Sequence, residues 1–280
     1  MIAVLDAPSN LGLRPLGGVE PGVKGLAGAL RACGVVERLG ARDAGVVVPP
    51  PYSFDMASNR VAMAGYTPEL AARIGDVLDA GDFPVVLGGD CSILLGAGVA
   101  LKRRGRFGLA FVDGHLDFRN LEWAPAVGAL AGEDLAVVTG RAEASLADID
   151  GLAPYFAEGD VVALGEREGD VDERRALGAT AITVRDLTEL RASGPRVPDA
   201  PYWIHCDADV LDISAVDSPA PGGLAYDELT ALLRALLAGD AIGLQVTVFD
   251  PSLDPDGSTA SDLTDCLVRT FARVTDTLGA

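Results

Sequence analysis

The sequence predicts a three-layer α/β/α domain with a mainly parallel central sheet. Apolar, strand-like runs alternate with helical patterns along the 280 residues, and the connections between them are short. In addition, three polar stretches each follow directly after an apolar run: residues 88–92 (GGDCS), 113–117 (DGHLD) and 207–212 (DADVLD). Because the carboxyl ends of parallel strands open into a shared crevice, we expect these stretches to meet at one edge of the sheet.

The individual elements follow from local pattern. Apolar runs predict strands at 2–5, 46–48, 85–87, 107–112, 160–165, 180–184, 202–204 and 241–249. Helical spacing predicts helices at 23–33, 67–79, 92–104, 130–139, 172–177, from 226 onward and at 260–278. Thr67 is expected to cap the second of these helices, with Pro68 in its first position. We expect 52–64 to be a loop over the site and 192–201 a surface connection.

Length and composition agree with one domain over residues 1–280 and limit its partners. The chain has no internal repeat or linker, and its net charge is −19 with a pI of about 4.3. Such acidity argues against nucleic-acid binding and suits a cationic small-molecule substrate. No apolar run reaches membrane-spanning length, and residues 1–10 lack signal-peptide features. The four cysteines show no paired spacing, which predicts reduced thiols and a cytoplasmic location.

The three polar stretches predict a two-metal site. Residues two apart in an extended segment point the same way, so each stretch presents its polar side chains together. Four carboxylates at close range repel one another unless cations neutralise them. The candidate ligands are Cys91, Asp113, His115, Asp117, Asp207 and Asp209. Each stretch alone also fits a simpler interpretation: a turn for the aspartates, or a small buried side chain for Cys91.

In the same order, GGDCS, DGHLD and DADVLD resemble the motifs GGDHS, DAHxD and DxDxxD of the ureohydrolase family, the arginases, agmatinases and related amidinohydrolases. GGVEPG at 17–22 and GGL at 222–224 extend the resemblance over nearly the whole chain. It implies the arginase-like fold and two manganese ions. Such ions activate a water molecule to attack a guanidinium carbon, which releases urea and an amine. We also expect a homo-oligomer.

The resemblance further implies a role for each ligand. Asp207 would bridge the two ions. The ions would be bound on either side of this bridge by Asp113, His115, Asp117 and Asp209, and Cys91 would take the sixth ligand position. Asp117 would also accept a hydrogen bond from the attacking group. His205, two residues before Asp207, is expected to be a hydrogen-bonded strand residue near the site.

Two departures concern the metals and proton transfer. Cys91 replaces a histidine, and its softer thiolate shifts metal preference from manganese toward zinc or iron. A cysteine there also occurs in the hydroxyarginine-processing branch of the family. In the segment 128–132 (GALAG), Ala131 replaces the histidine that shuttles protons. Glu133 is therefore a candidate catalytic carboxylate, as is Asp134, unless both are only helix N-terminal acids.

The third departure concerns the substrate. Val248 stands where the family has the glutamate that pairs with the guanidinium, and Asp250 or Glu133 would have to compensate for it. The resemblance places four candidate substrate-binding residues: Arg119, Asn120, Asp170 and Glu173. Arg119 would bind an acidic tail, or it is an exposed loop arginine. We predict a metal-dependent hydrolase of linear C–N bonds in a guanidino or amidino compound other than plain L-arginine. The alternative is a catalytically degenerate binding or structural subunit.

Overall fold

The computed structural model describes residues 1–119, 128–167 and 171–272, and its central element is a sheet of eight strands. The strands are β1 (Ile2–Asp6), β2 (Arg42–Val46), β3 (Phe83–Leu87), β4 (Gly108–Val112), β5 (Val161–Leu164), β6 (Thr183–Arg185), β7 (Tyr202–Asp207) and β8 (Ala241–Thr247). Their order across the sheet is β2-β1-β3-β8-β7-β4-β5-β6, and every pairing is parallel. The predicted parallel sheet is therefore confirmed.

Helices cover both faces of the sheet. They are α1 (Leu26–Ala32), α2 (Val35–Arg38), α3 (Met56–Asp79), α4 (Leu94–Lys102), α5 (Asp134–Val138), α6 (Ala144–Ala147), α7 (Val171–Leu177), α8 (Leu187–Ser193), α9 (Tyr226–Leu237) and α10 (Ser258–Phe271). Alternate residues of β1 enter two separate cores, Val4 with α1, α9 and α10, and Leu5 with α3, α4 and α5. This alternation is the period-two geometry of a strand buried on both faces, and it produces the predicted three layers.

The expected loop at 52–64 is wrong, because α3 begins at Met56 and continues to Asp79. The carboxylate of Asp55 caps it by accepting hydrogen bonds from the backbone N–H groups of Ala57 and Ser58. Pro68 lies inside the helix rather than at its start. The apolar pattern failed here because a polar residue, Asn59, occupies a buried position, where its amide bonds to the backbone of Ser53.

Two smaller differences have similar causes. The second strand ends at Val46 instead of beginning there, because β2 is an edge strand whose residues are mostly exposed and form no apolar run. Part of the expected connection at 192–201 belongs to α8, which is capped by Asp186 through the N–H of Glu189. The described part of the chain contains no helix long and apolar enough to cross a membrane.

The sheet order decides where the polar stretches lie. Strands β3, β8, β7 and β4 are adjacent, so the segments after them leave the same carboxyl edge side by side. The segments that follow these four strands are, in that order, residues 88–92, 248–250, 208–212 and 113–117, and Asp207 is the last residue of β7. Segments far apart in the chain are thereby collected into one crevice.

Candidate metal centre

The first polar stretch is positioned by a close backbone contact and by Asp90. A Cβ atom at Gly89 would lie 1.5 Å from the carbonyl oxygen of Ser9, so only glycine fits there. The Asp90 carboxylate accepts hydrogen bonds from the backbone N–H groups of Ser92 and Gly12. Asp90 therefore anchors the loop, and its neighbour Cys91 is the residue that enters the site.

Cys91 joins the third polar stretch. Its Sγ atom lies 2.6 Å from Oδ2 of Asp207 and 3.5 Å from Oγ1 of Thr247. Asp207, at the end of β7, accepts a 2.7 Å hydrogen bond from the backbone N–H of Asp209 through its other oxygen. The thiol thus lies against a carboxylate at the carboxyl edge of the sheet.

The second polar stretch, residues 113–117, also contacts the third stretch, residues 207–212. Nδ1 of His115 lies 2.7 Å from Oδ2 of Asp209, and the backbone N–H of Gly114 donates to Oδ1 of that carboxylate. The backbone N–H of His115 donates in turn to Oδ1 of Asp113 at 2.6 Å. These bonds orient one imidazole and two carboxylates toward a common point.

The donor atoms form two groups that share Asp113. In each group the ligand atoms lie within 4.8 Å of one another. One group contains Cys91, Asp113, His205 and Asp207, and the other contains Asp113, His115 and Asp209. Oδ2 of Asp113 is buried and has no hydrogen-bond partner among the described residues, as expected for an oxygen whose partner is a cation. The set of carboxylates, an imidazole and a thiol fits divalent metal ions.

Burial and mutual repulsion dominate the electrostatics of the site. Burial raises the pKa of the Cys91 thiol well above its usual value, and the charge of Asp207 adds to the shift. Burial and neighbouring carboxylates likewise raise the pKa values of Asp113, Asp117 and Asp207 well above normal. Burial also acts to raise the pKa of Asp209, but the hydrogen bond and charge of His115 outweigh it, so that this pKa is lowered.

The candidate centre opens into a cavity of about 500 Å³. Asp117, Cys91 and His115 line it, although the Asp117 carboxylate belongs to neither group of clustered donors. Ala131 and Val248 also line it. All three positions that depart from the family pattern, Cys91, Ala131 and Val248, therefore line this cavity with the other candidate ligands.

Val248 has an unusual backbone conformation. Its φ is +71°, a region that β-branched residues rarely adopt, and Phe249 N–H bonds to the Thr247 carbonyl across it. The structure does not place the nearby Asp250 in the cavity. Its carboxylate accepts hydrogen bonds from Gly22 and Ser252 instead, so it does not compensate for the missing glutamate.

Two of the four candidate substrate-binding residues meet on the cavity wall. Nε of Arg119 lies 3.3 Å from Oε1 of Glu173, and both residues line the cavity. Arg119 is therefore not a free loop arginine. Asn120 and Asp170 lie outside the described residues.

Glu133 is directed toward an arginine instead of the cavity. Its Oε2 lies 3.0 Å from Nη2 of Arg60, which also contacts Glu143, and Glu133 is not among the cavity-lining residues. The adjacent Asp134 is fully buried, and within the described part of the chain neither of its carboxylate oxygens has a hydrogen-bond partner. Of the two acids, Asp134 is therefore the one electrostatically linked to Asp113.

Sequence reasoning missed Arg167. This residue follows β5, and its Nη2 donates to the backbone carbonyls of Asp209 at 2.6 Å and Ala220 at 2.8 Å. Its charge contributes to the lowered pKa of Asp209. The only available signal was its place after a strand neighbouring β4.

Comparison with known proteins agrees with this geometry. A family model described as "Arginase family" matches residues 2–272. The chain belongs to the arginase family. Arginase from Bacillus subtilis (strain 168) is 29% identical to it over an alignment of 297 positions that covers 95% of this chain and 97% of the relative. Arginase from Bacillus caldovelox is 30% identical over 93% of this chain and 94% of the relative.

The structural comparison supports the same assignment. The crystal structure of the Bacillus subtilis arginase superposes with a TM-score of 0.85 at 25% identity, covering 96% of this chain and 98% of that one. The chain is therefore a ureohydrolase-type enzyme by family and fold. Its cluster of candidate metal ligands lies at the carboxyl edge of the arginase-type sheet.

Proposed function

We propose that this arginase-family protein hydrolyses a linear C–N bond in a guanidino or amidino compound less basic than L-arginine or agmatine. The observation that carries the proposal is Val248 on the cavity wall, at the position where the family resemblance implies a glutamate for the guanidinium. A buried guanidinium without a paired anion loses several kcal/mol, on the order of a thousandfold in affinity. A neutral or weakly basic amidine avoids that loss.

Six residues would hold two divalent ions: Cys91, Asp113, His115, Asp117, Asp207 and Asp209. Bound metal would supply an activated water nucleophile near neutral pH. Manganese suits the carboxylates, while the thiol of Cys91 adds affinity for zinc or iron. The unpartnered Oδ2 of Asp113 supports this assignment.

The remaining roles belong to side chains around the cavity. Asp117 would accept a hydrogen bond from the attacking group. Arg119 and Glu173, paired on the wall, would bind the carboxylate and ammonium of an amino-acid substrate. By family resemblance Asn120 and Asp170 would add to this contact. We propose Glu133 as an anchor of the adjacent loop through Arg60, in place of the catalytic role expected from sequence.

A screen for urea, ammonia and amine release tests this function. Protein purified with manganese, zinc or iron is incubated with L-arginine, agmatine, hydroxylated guanidines, amidines and formimino compounds. We expect turnover of a less basic compound and negligible turnover of L-arginine and agmatine. Rapid hydrolysis of L-arginine would refute the substrate proposal.

Val248→Glu tests the reason for the substrate preference. A carboxylate at this position should improve the binding of agmatine by restoring an ion pair, whereas the matched Val248→Gln variant should not. A protein that binds metal but turns over none of these compounds would favour the rival function, a degenerate family member acting as a binding or structural subunit.

We further propose that residues 1–280 form one domain and that the protein is a cytoplasmic homo-oligomer. The single sheet supports the first statement, and the acidic surface charge and unpaired cysteines support the cellular location. Light scattering of the purified protein tests the oligomer, since a monomer at micromolar concentration would contradict it.

A further inference from the structure

A chain of polar contacts runs beneath the candidate metal centre. Nε1 of Trp203 donates to Oε1 of Gln245 at 2.9 Å, and Nε2 of Gln245 lies 2.8 Å from Nδ1 of His205. The other ring nitrogen of His205, Nε2, lies 3.8 Å from Oδ2 of Asp113. All four side chains are buried, so solvent cannot replace any of these contacts.

The indole of Trp203 determines the direction of the hydrogen bonds in this series of contacts. An indole N–H can only donate, so Gln245 must turn its carbonyl oxygen toward Trp203. The amide nitrogen of Gln245 then faces His205 and can only donate to it. Nδ1 of His205 must accept, and in a neutral imidazole the proton is then on Nε2. A proton on Nδ1 would place two donors against each other.

The sheet holds the imidazole in this orientation. Phe111, His205 and Gln245 are direct neighbours across β4, β7 and β8. The rings of Phe111 and His205 are stacked, with centroids 4.6 Å apart and planes inclined by 11°. A half-turn of the ring about χ2 would turn a carbon toward Gln245 and break that hydrogen bond, and any smaller rotation would also break the stacking.

We propose that Trp203 and Gln245 hold His205 as its Nε2–H tautomer, so that the Nε2–H group faces Asp113 and His205 is a positioning residue instead of a metal ligand. His205 lies in a group of residues whose types could bind metal. However, a protonated Nε2 has no lone pair for an ion. Its positive N–H dipole can instead stabilise the charge on Oδ2 of Asp113, which lies 3.8 Å away, beyond hydrogen-bond distance. Neither atom has a hydrogen-bond partner among the described residues. The link to metal rests on the proposed function, but the tautomer does not.

Nitrogen-15 NMR of the imidazoles reads the tautomer directly. The chain has two histidines, and His115→Gln assigns the remaining signals to His205. We expect the two-bond nitrogen–proton pattern of an Nε2–H imidazole for His205 in metal-free and zinc-loaded protein. An Nδ1–H pattern in either native state, with Nε2 unprotonated, would overturn the proposal.

Substitutions among these hydrogen-bonded residues test whether Gln245 sets the tautomer of His205. Gln245→Glu places a carboxylate that accepts from both Trp203 and His205, and it should convert His205 to the Nδ1–H form. Tyr202→Phe is the matched control, because Tyr202 is a buried aromatic on the same strand that donates to Leu236 instead. It should leave the tautomer unchanged. If His205 keeps its proton on Nε2 in Gln245→Glu, then Trp203 and Gln245 do not set the tautomer and this part of the proposal is refuted. If the variant does not fold, the spectrum of the native protein still tests the tautomer itself.

Metal affinity supplies a second readout. By calorimetric titration with zinc or manganese, His205→Leu should bind about 10–100-fold more weakly, the usual loss when a partner of a metal ligand is removed. His205→Gln, which retains an amide donor, should recover part of that affinity. Equal affinity in His205→Leu and the native protein would refute the positioning role. If the native protein binds no metal, the proposed function fails, while the NMR result on metal-free protein stands.

Discussion

Sγ of Cys91 and Oδ2 of Asp207 lie 2.6 Å apart, although 116 positions separate the two residues in the chain. The contact exists because β3 and β7 both adjoin β8 in the sheet, so the segments that follow them share one crevice. It places a soft sulfur donor directly against a hard oxygen donor. This pairing should control which metal the protein retains.

Cys91→His should therefore shift metal preference toward manganese. An imidazole replaces a soft, buried thiol among carboxylates, and we expect about tenfold tighter manganese binding, equivalent to about 1.4 kcal/mol. Metal content after dialysis and calorimetric titration measure the change. Cys33→Ser, at the end of α1, is the control and should bind like the native protein. Identical manganese binding by Cys91→His and native protein would show that Cys91 is not a ligand.

Asp207→Asn should stabilise the metal-free protein and abolish binding of at least one ion. Burial and neighbouring carboxylates oppose the ionisation of Asp207 in the fold, and asparagine removes this penalty, which is about 1–3 kcal/mol in the free energy of unfolding. Asp160→Asn is the contrasting control, since Asp160 is equally buried but pairs with the exposed Arg106 at 2.6 Å. The free energy of unfolding of Asp160→Asn should be about 1 kcal/mol lower than that of the native protein. Thermal unfolding with and without chelator measures both effects.

The effect of Asp207 should also depend on pH. Its pKa is raised in the fold, so above the usual carboxyl pKa of about 4 the folded state keeps a proton that the unfolded state has lost. The contribution of Asp207 to the stability of the metal-free protein therefore falls as pH rises from about 4, the pKa of the unfolded carboxyl, toward the raised pKa of the folded state. The stability gain of Asp207→Asn should be larger at pH 7 than at pH 4. A gain independent of pH would contradict the assigned repulsion.

Val248→Gly should be tolerated far better than Val246→Gly. Both valines are buried near the end of β8, but only Val248 has a positive φ, where a β-branched side chain is strained by about 1–3 kcal/mol. Glycine removes that strain along with the side chain. The loss of unfolding free energy should therefore be smaller at 248 by about the same amount, as measured by urea denaturation. Equal losses would show that the position is not strained.

Glu133→Gln and Arg60→Gln should both destabilise the protein. Glu133 is buried, so Arg60→Gln, which leaves its carboxylate without a cation, should lower the free energy of unfolding by about 3 kcal/mol. Glu133→Gln should cost less, because Arg60 keeps its contact with Glu143. The double variant should lose clearly less than the sum of the two, because Glu133→Gln removes the charge that Arg60→Gln leaves unpaired. On a substrate found in the screen, both single variants should lose activity alike. A loss above about a hundredfold confined to Glu133→Gln would instead indicate acid–base catalysis.

The sequence alone determined the sheet and its active edge. Strand–helix alternation predicted the parallel three-layer fold, and the order GGDCS, DGHLD, DADVLD predicted which residues follow neighbouring strands. These inferences succeeded because parallel strands share direction, and a polar residue directly after a strand must lie at the common edge. The sequence pattern failed where tertiary contacts replace apolar periodicity, as at Asn59, whose buried amide bonds to the backbone and disguises the start of α3.

Only the tertiary structure decided what each polar side chain faces. Glu133 and Asp134 are adjacent, yet one pairs with Arg60 from α3 and the other is buried near Asp113. His205 has the right type for a metal ligand, but its neighbour across the sheet, Gln245, faces its Nδ1 with a donor. These partners come from elements distant in the chain. Hydrogen-bond direction and charge pairing depend on angstrom-scale distances, which residue spacing in a sequence does not contain.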